Sequence, residues 1–442
     1  MKQSFTQKII AILVSAAVVW LAHVATAATI AVNDPGDTTG GRGCTLRDAI
    51  NAANSDTQQG GCSAGSGADE IVFNLALPSK IILTSNSQLN VDSNLTILGP
   101  GAGALTIEGT KIAPSSVFWI QSGTVSISGL TIKNGTDSGI VNFGTLTLTG
   151  CTLTGNSDFQ QSTGGGLYND GAATAALFDC TISNNKAPGT SMLGDAGGGI
   201  FNNGTMTLTN CTVSGNSASG VGATGGGIEN GGVLTIAGST LNNNSTSGLE
   251  AEGGAIFNNG GILTLTDSTL SANSVSGALS LGGGIETDGV TSLTNCTMSG
   301  NKASGKGAMG GGILDGAPAG QLTIANTIIA HSTGGDCVSV DAVTDHGHNL
   351  TQDPTNNCGL TGGSDISATD PLLLSLAKNG SGTKTMALCT GVGTPKKSCA
   401  GTSPAIASAA HSLCAAAPVS NRDQRGWLRG SSTCDIGAYE TP

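Results

Sequence analysis

Arginine is missing from the whole interior of this 442-residue chain: none lies between Arg47 and Arg422. A central site that depends on a guanidinium is thereby excluded. Aromatic residues make up only 3% of the sequence and charged residues 10%. The cations are outnumbered, 17 Lys+Arg against 29 Asp+Glu. That balance opposes nucleic-acid binding, which needs basic stripes. The acids are scattered, and they serve to keep a glycine-rich chain soluble. Beyond Ala22 no apolar run is long enough to span a bilayer. Helical periodicity is almost absent as well, and this removes the all-α and α/β classes.

The first 27 residues read as a secretory signal. Lys2 and Lys8 open it, Ile9 to Ala22 is apolar, and Ala25-Thr26-Ala27 is a small-residue cleavage site. Its removal would leave 15 Lys+Arg against 29 Asp+Glu, a net charge of −14. The expected product is secreted or held at the cell surface, with no integral membrane span.

What the chain has in abundance is glycine, 70 residues, arranged in a repeat. From residue 139 to 330 a block of about 29 residues recurs. Its clearest copy is Gly-Gly-Gly-Ile-Phe-Asn-Asn-Gly-Thr-Met-Thr-Leu-Thr-Asn-Cys-Thr-Val-Ser-Gly-Asn, residues 197–216. The anchor column Cys151, Cys180, Cys211, Ser239, Ser268, Cys296 steps by 29, 31, 28, 29 and 28. Such periods mean stacked units, each too small to bury its own apolar face. Within a unit Met206 and Leu208 alternate with Thr205, Thr207 and Thr209, a period-two pattern that reads as strand. About three short strands per unit, stacked in register, predict an all-β parallel β-helix. Leu148, Leu177, Leu208, Ile236, Leu265 and Leu293 form one core ladder, and Leu153, Ile182, Val213, Leu241, Leu270 and Met298 another. Asn156, Asn185, Asn216, Asn244, Asn273 and Asn301 recur without exception, as does a second polar column: Asn142, Asn169, Asn202, Asn230, Asn258, then Thr287 and Asp315. Stacked amides can bond from rung to rung, so these columns have a structural role. Shorter steps such as Leu95-Thr96-Ile97 and Val125-Ser126-Ile127 extend the pattern toward the N-terminus. Nine or ten rungs give a rod of roughly 45 Å.

The twelve cysteines fall into two groups. Cys151, Cys180, Cys211 and Cys296 share their column with serine and read as small buried residues. The other eight lie outside the repeat as Cys44/Cys62, Cys337/Cys358, Cys389/Cys399 and Cys414/Cys434. In an oxidising compartment these should form disulfides, here assigned to nearest neighbours, although spacing does not fix connectivity.

A β-helix must cover both of its ends. Residues 44–54 hold the best helix, with a capping-box pattern at Thr45 and Asp48 and an apolar face of Leu46, Ala49, Ile50 and Ala53. This is the predicted lid. Its Cys-Thr-Leu-Arg-Asp-Ala resembles the motif that names the CSLREA domain, with Thr45 for Ser and Asp48 for Glu. The C-terminal part resembles the choice-of-anchor Q domain through Gly347-His348-Asn349-Leu350, Asp370-Pro371-Leu372-Leu373, Lys378-Asn379-Gly380, Ser403-Pro404-Ala405-Ile406, Asp423-Gln424-Arg425-Gly426 and Cys434-Asp435-Ile436-Gly437-Ala438-Tyr439-Glu440. The central repeats are similar to those of polymorphic outer-membrane proteins, as in Gly253-Gly254-Ala255-Ile256. These resemblances imply an exported, right-handed, single-stranded β-helix of the pectin-lyase-like class. The family generally carries a surface anchor after the Q domain, and here the sequence ends two residues beyond Glu440. The implied organisation is signal 1–27, CSLREA-like cap 28–68, β-helix 69–330 and a disulfide-rich Q-like region 331–442.

Candidate chemistry is sparse. Asp345-His346-Gly347-His348, with His331 and Asp336 nearby, fits no metal-ligand spacing and reads as an irregular loop. Pectin-lyase-like folds host polysaccharide lyases and hydrolases. A polygalacturonase-like site would show paired Asp, a GHG and an RxK, whereas this chain has His346-Gly347-His348 and no RxK. A pectate-lyase-like site would need clustered acids and an arginine. In the glycine-run strand the outward column reads Val141, Tyr168, Phe201, Glu229, Phe257, Glu286, Leu314. Glu229 and Glu286 stand two rungs apart, roughly 9–10 Å, near the separation of about 6.5–9.5 Å used by inverting glycosidases. The simpler expectation is two solvated acids in an apolar stripe. Tyr168, Phe201, Glu229, Phe257 and Glu286 form the expected contact surface. The loops after each Asn column almost lack rings, which argues against a sugar platform on that edge.

The sequence therefore points to a non-enzymatic exported rod, an adhesion or cell-surface interaction protein expected to be a monomer, which meets an extracellular glycan or protein without metal or cofactor. The rival is a polysaccharide-active enzyme whose catalytic residues would be Glu229 and Glu286.

Overall fold

The computed structural model describes residues 27–84, 87–110, 115–158, 164–189, 197–316, 321–355, 357–391 and 401–442. All but one residue of the expected signal, and Cys399, lie outside them. The chain winds as a parallel β-helix with sheets of twelve, eleven and ten strands. The twelve-stranded sheet carries the Thr205–Thr209 strand of the clearest repeat, the eleven-stranded sheet Thr212–Ser214, and the ten-stranded sheet Ile200–Asn202. Within this repeat the burial pattern follows the sequence alternation: Met206, Leu208, Val213 and Ile200 are buried in the core. Each such side chain contributes about 1.5–3 kcal/mol by leaving water. Strands pair in register, Leu177 with Leu208 and Leu208 with Ile236, so like side chains stack along the axis.

Both asparagine columns form continuous buried ladders. Asn185 Nδ2 donates to Asn216 Oδ1, Asn216 to Asn244, and Asn244 to Asn273, each at 3.0 Å. Each of these amides also donates to a carbonyl on the preceding rung, as Asn216 does to Ile182 O at 3.0 Å. The second ladder runs Asn142, Asn169, Asn202, Asn230, Asn258 at 2.7–2.8 Å per step. It passes to the hydroxyl of Thr287 at 3.1 Å. Side chains thus satisfy these buried bends.

A fourth sheet was not foreseen. Five short strands, Lys186–Pro188, Ser217–Ser219, Ser245–Ser247, Ser274–Ser276 and Lys302–Ser304, stack in the segments expected to be loops. Their middle residues Ala187, Ala218, Thr246, Val275 and Ala303 are buried. Alternation over only three residues is too short to register as strand in a sequence. Glycine makes the tight return possible: a Cβ on Gly198 would lie 2.4 Å from the Ser217 carbonyl carbon and 2.5 Å from Gly226 O.

The lid is present. A helix, Leu46–Ser55, starts at Thr45, whose hydroxyl accepts from the Asp48 amide at 3.1 Å. Only half of the expected capping box forms, because the Asp48 carboxylate instead accepts from the Gly40 amide at 3.2 Å. Leu46, Ala49, Ile50 and Ala53 are buried in the main core. Arg47 forms an ion pair with Asp37 at 2.8 Å and donates to Ser87 O and Gln88 O.

The three sheets continue past residue 330 through Cys337–Ser339, Thr344–Asp345 and Leu350–Thr351. Asn349 takes the ladder role there, accepting from Thr327 N at 3.0 Å. The remaining C-terminal segment does not prolong the rod. It folds back along the outer face of the eleven-stranded sheet. In that sheet Thr212–Ser214 exposes its outward residues partly, whereas Thr269–Ser271 and Thr297–Ser299 are fully buried. Threonine hydroxyls make the contact: Thr240 donates to Lys384 O and Thr269 to Gln424 Oε1, both at 2.6 Å, and Thr297 accepts from Ala438 N at 3.0 Å. A second apolar cluster joins Ile328, Ala330 and Leu350 to Leu388, Ala405, Cys414 and Ile436.

Disulfides join Cys44 to Cys62, Cys337 to Cys358 and Cys414 to Cys434. Cys389 is also disulfide-bonded. Cys151, Cys180, Cys211 and Cys296 are free and buried. Their column tolerates serine because a hydroxyl finds the same kind of acceptor: Ser239 donates to Ala237 O at 2.8 Å, as Cys211 Sγ does to Thr209 O at 3.3 Å.

Candidate functional site

The outward column of the ten-stranded sheet divides into two halves. Pairing runs Trp119, Val141, Tyr168, Phe201, Glu229, Phe257, Glu286, Leu314 on consecutive rungs. The first half is aromatic. Tyr168 and Phe201 stack with ring centroids 5.6 Å apart and planes 8° from parallel. Phe143, two residues beyond Val141, joins them at 6.1 Å from Tyr168, and Trp119 lies 5.2 Å from Phe143. Four of the chain's thirteen aromatic residues gather here. Phe143 is 37% exposed and the other three are half-buried.

The second half is acidic and covered. Glu229 is 6% and Glu286 2% exposed, and Phe257 is buried between them. This corrects the expectation of solvated acids and of a contact surface at Glu229, Phe257 and Glu286. Pleating does turn these side chains outward, but the segments after the fourth sheet fold back over them. The Thr224 hydroxyl donates to Glu229 Oε2, and Asn259 Nδ2 to Glu229 Oε1 at 3.3 Å. Glu286 Oε2 is buried without a hydrogen-bond partner. Burial drives Glu286 well above the usual carboxylate range, with Asp288, Glu252 and Asp315 adding to it. Burial likewise raises Glu229. Glu252 is pushed up to about 7 by burial and by Asp288, Glu229 and Glu250. Substrate has no access to Glu229 and Glu286 as a catalytic pair in this arrangement. Among the described residues no three His, Cys, Asp or Glu side chains converge as a metal site.

A cleft of about 60 Å³ opens at the head of the aromatic half, lined by Trp119, Asp137, Ser138, Val141, Phe143, Asp158 and Tyr168. Its corner forms where Asp137 pairs antiparallel with Asp158. Ser138 N donates to Ser157 O at 3.2 Å, and the Ser138 hydroxyl to Gly164 O at 2.7 Å. Asp158 occupies the position that Ala187 and Ala218 fill on the next two rungs, since Ser157 pairs with Lys186 and Lys186 with Ser217. Burial, then the Asp158 charge, lifts Asp137 to about 6. Among the described residues the lining carries two carboxylates and no lysine or arginine.

Tyr168 and Phe201 share one outward column in the sequence, and the structure stacks their rings. Trp119, Phe143, Asp137 and Asp158 were missed. Trp119 precedes the regular repeat, so its column membership shows only in the strand pairing. Asp158 did leave a signal: an acid in a column of small or β-branched residues. Three of the five arginines form ion pairs away from this face. Arg47 pairs with Asp37, Arg425 with Asp423 at 2.6 Å, and Arg429 with Asp267 at 2.7 Å. In the Asp345–His348 loop, His348 Nδ1 meets Ser408 O at 2.7 Å, and Asp345 accepts from Gly347, Thr361 and Gly362 amides.

Comparison with solved structures finds the same fold in pectate lyase Pel9A, at a TM-score of 0.52 and 12% sequence identity, over 95% of this chain and 98% of that one. At that identity the likeness is one of fold. No curated protein sequence matches the chain. Residues 96–329, more than half of the chain, match the model of the right handed beta helix region, and the chain belongs to that family.

Proposed function

We propose that this protein is an exported, non-enzymatic β-helical rod that holds an extracellular glycan on the aromatic ladder Trp119–Phe143–Tyr168–Phe201. The observation that carries this reading is the ladder itself: four neighbouring rings, partly open to solvent, in a chain otherwise poor in them. Rings of this kind give a sugar face apolar area while their edges stay wet. The covering of Glu229 and Glu286 and the engagement of Arg47, Arg425 and Arg429 in ion pairs favour binding over cleavage. Export is supported by the disulfides, which persist in oxidising compartments. The signal-like start and the CSLREA-like and Q-like end segments point the same way. Among the described residues no helix is long and apolar enough to cross a membrane.

The test is a glycan array on the secreted protein, with a reducing-sugar release assay on every glycan bound. Binding that is lost in Tyr168→Ala, with no sugar released, is the expected result. Release that disappears in Asp137→Asn, or in Glu229→Gln or Glu286→Gln, would replace this reading with the enzymatic one.

A further inference from the structure

We propose that the cleft at the head of the ladder binds an organic ammonium group, held against the rings of Trp119, Phe143 and Tyr168 with Asp137 as its counter-charge. This rests on the ladder being the contact surface and names the chemistry that surface selects. Among the described residues three rings and two carboxylates line the cleft, and no cationic side chain does. Trp119 and Phe143 are tilted by 41° and Phe143 and Tyr168 by 58°, so the rings do not lie flat on one another and instead wall a hollow. An aromatic wall attracts a cation through the negative face of each ring, most strongly where water is excluded. A polyuronate or a phosphate would meet the opposite field.

Beyond Phe201 the same column adds no cation: it continues through Glu229, Phe257 and Glu286 to Leu314. Among the described residues the charged group that acts on Asp137 is the Asp158 carboxylate; Tyr168 lines the same cleft, and its hydroxyl donates to Asp170 Oδ1 at 3.2 Å. Lys186 meets this corner through its backbone carbonyl, which accepts from Asp158 N at 3.0 Å. Asp137 is lifted to about 6 in this cleft. A bound ammonium would therefore favour its ionised form, and binding should strengthen as the pH rises through that value. Two sources present this chemistry: polymers of de-N-acetylated hexosamine and polymers or lipids that bear choline.

Titration calorimetry on the full secreted chain separates them, with choline chloride, glucosamine oligomers and fully N-acetylated oligomers as probes. At least one ammonium probe should bind, and the acetylated oligomers at least tenfold more weakly. Choline does not titrate, so its pH profile reports the protein: from pH 8 to pH 5 its affinity should fall about tenfold, the ionised fraction expected for a pKa near 6. Asp137→Asn should remove that pH dependence. Phe143→Leu, at a half-open position that does not threaten the fold, should weaken choline without removing the pH profile. Equal binding of acetylated and free-amine oligomers would overturn the ammonium assignment and leave the ladder standing. Failure of all three probes, with Tyr168→Ala still abolishing binding on the array, would do the same. Silence on both the array and the calorimeter would overturn both readings.

Discussion

Arg429 reaches back 162 residues in sequence to Asp267, its Nη2 lying 2.7 Å from the carboxylate Oδ1 with the guanidinium fully buried. The same side chain donates to Glu440 Oε2 at 3.2 Å and to the carbonyls of Asp435, Gly437 and Arg422. One fork thus fastens the C-terminal segment to a bend of the β-helix. Removing it leaves two acids buried without their cation, at a cost of about 3–5 kcal/mol. Arg429→Ala should lower the melting temperature and expose residues 401–442 to limited proteolysis ahead of the repeats. Arg429→Lys should not rescue it, because an ammonium cannot replace a planar five-donor fork.

The asparagine ladder makes an equally local prediction. Asn216 Oδ1 accepts from both the backbone and the side chain of Asn185, at 3.0 Å each, while its amide serves Asn244 and Ile182. Asn216→Ala strands buried donors and an acceptor on two neighbouring rungs, each worth about 1–3 kcal/mol. A loss of at least about 3 kcal/mol in denaturant unfolding is expected. Asn51→Ala, exposed on the lid helix, should stay within about 0.5 kcal/mol of wild type.

The covered acids fix a pH dependence of stability. Glu252, near 7, and Glu286, well above the usual carboxylate range, hold their protons more tightly folded than unfolded, where the ordinary value is 4.5. The folded state then binds more protons than the unfolded one between those values, so these groups cost stability as pH rises from about 4.5 through 7 and beyond. Glu286→Gln removes the cost while keeping the shape. Its melting temperature should exceed wild type at pH 8 and match it at pH 4. A variant that melts below wild type at pH 8 would show that the carboxylate is needed there in its ionised form.

Ile50→Asp tests the lid. Ile50 is 1% exposed, on the face that closes the core. A carboxylate there is buried without a partner, and a displaced helix would uncover the end of the rod. Lower thermal stability with aggregation on size-exclusion chromatography is expected, and Tyr168→Ala on the half-open ladder should show neither. A monomeric Ile50→Asp with an unchanged melt would mean that residues 46–55 do not close the core.

The repeat by itself determined the β-helix, its core columns, its asparagine ladders and the inward cysteines. All of these follow from a period of about 29 and an alternation of two, which strand geometry converts directly into facing and stacking. The lid was legible too, since Leu46, Ala49, Ile50 and Ala53 carry their helical spacing within ten residues. Tertiary structure alone decided what covers the outside. Pleating says that Glu229 and Glu286 point away from the core, but not that a glycine-rich return folds over them. It says nothing of a C-terminal segment that docks on Thr240, Thr269 and Thr297. Those contacts join residues more than a hundred positions apart, where no period links them. The cleft depends on the same long-range order: Trp119, Phe143 and Asp158 become neighbours only because successive turns place them at one height on one face.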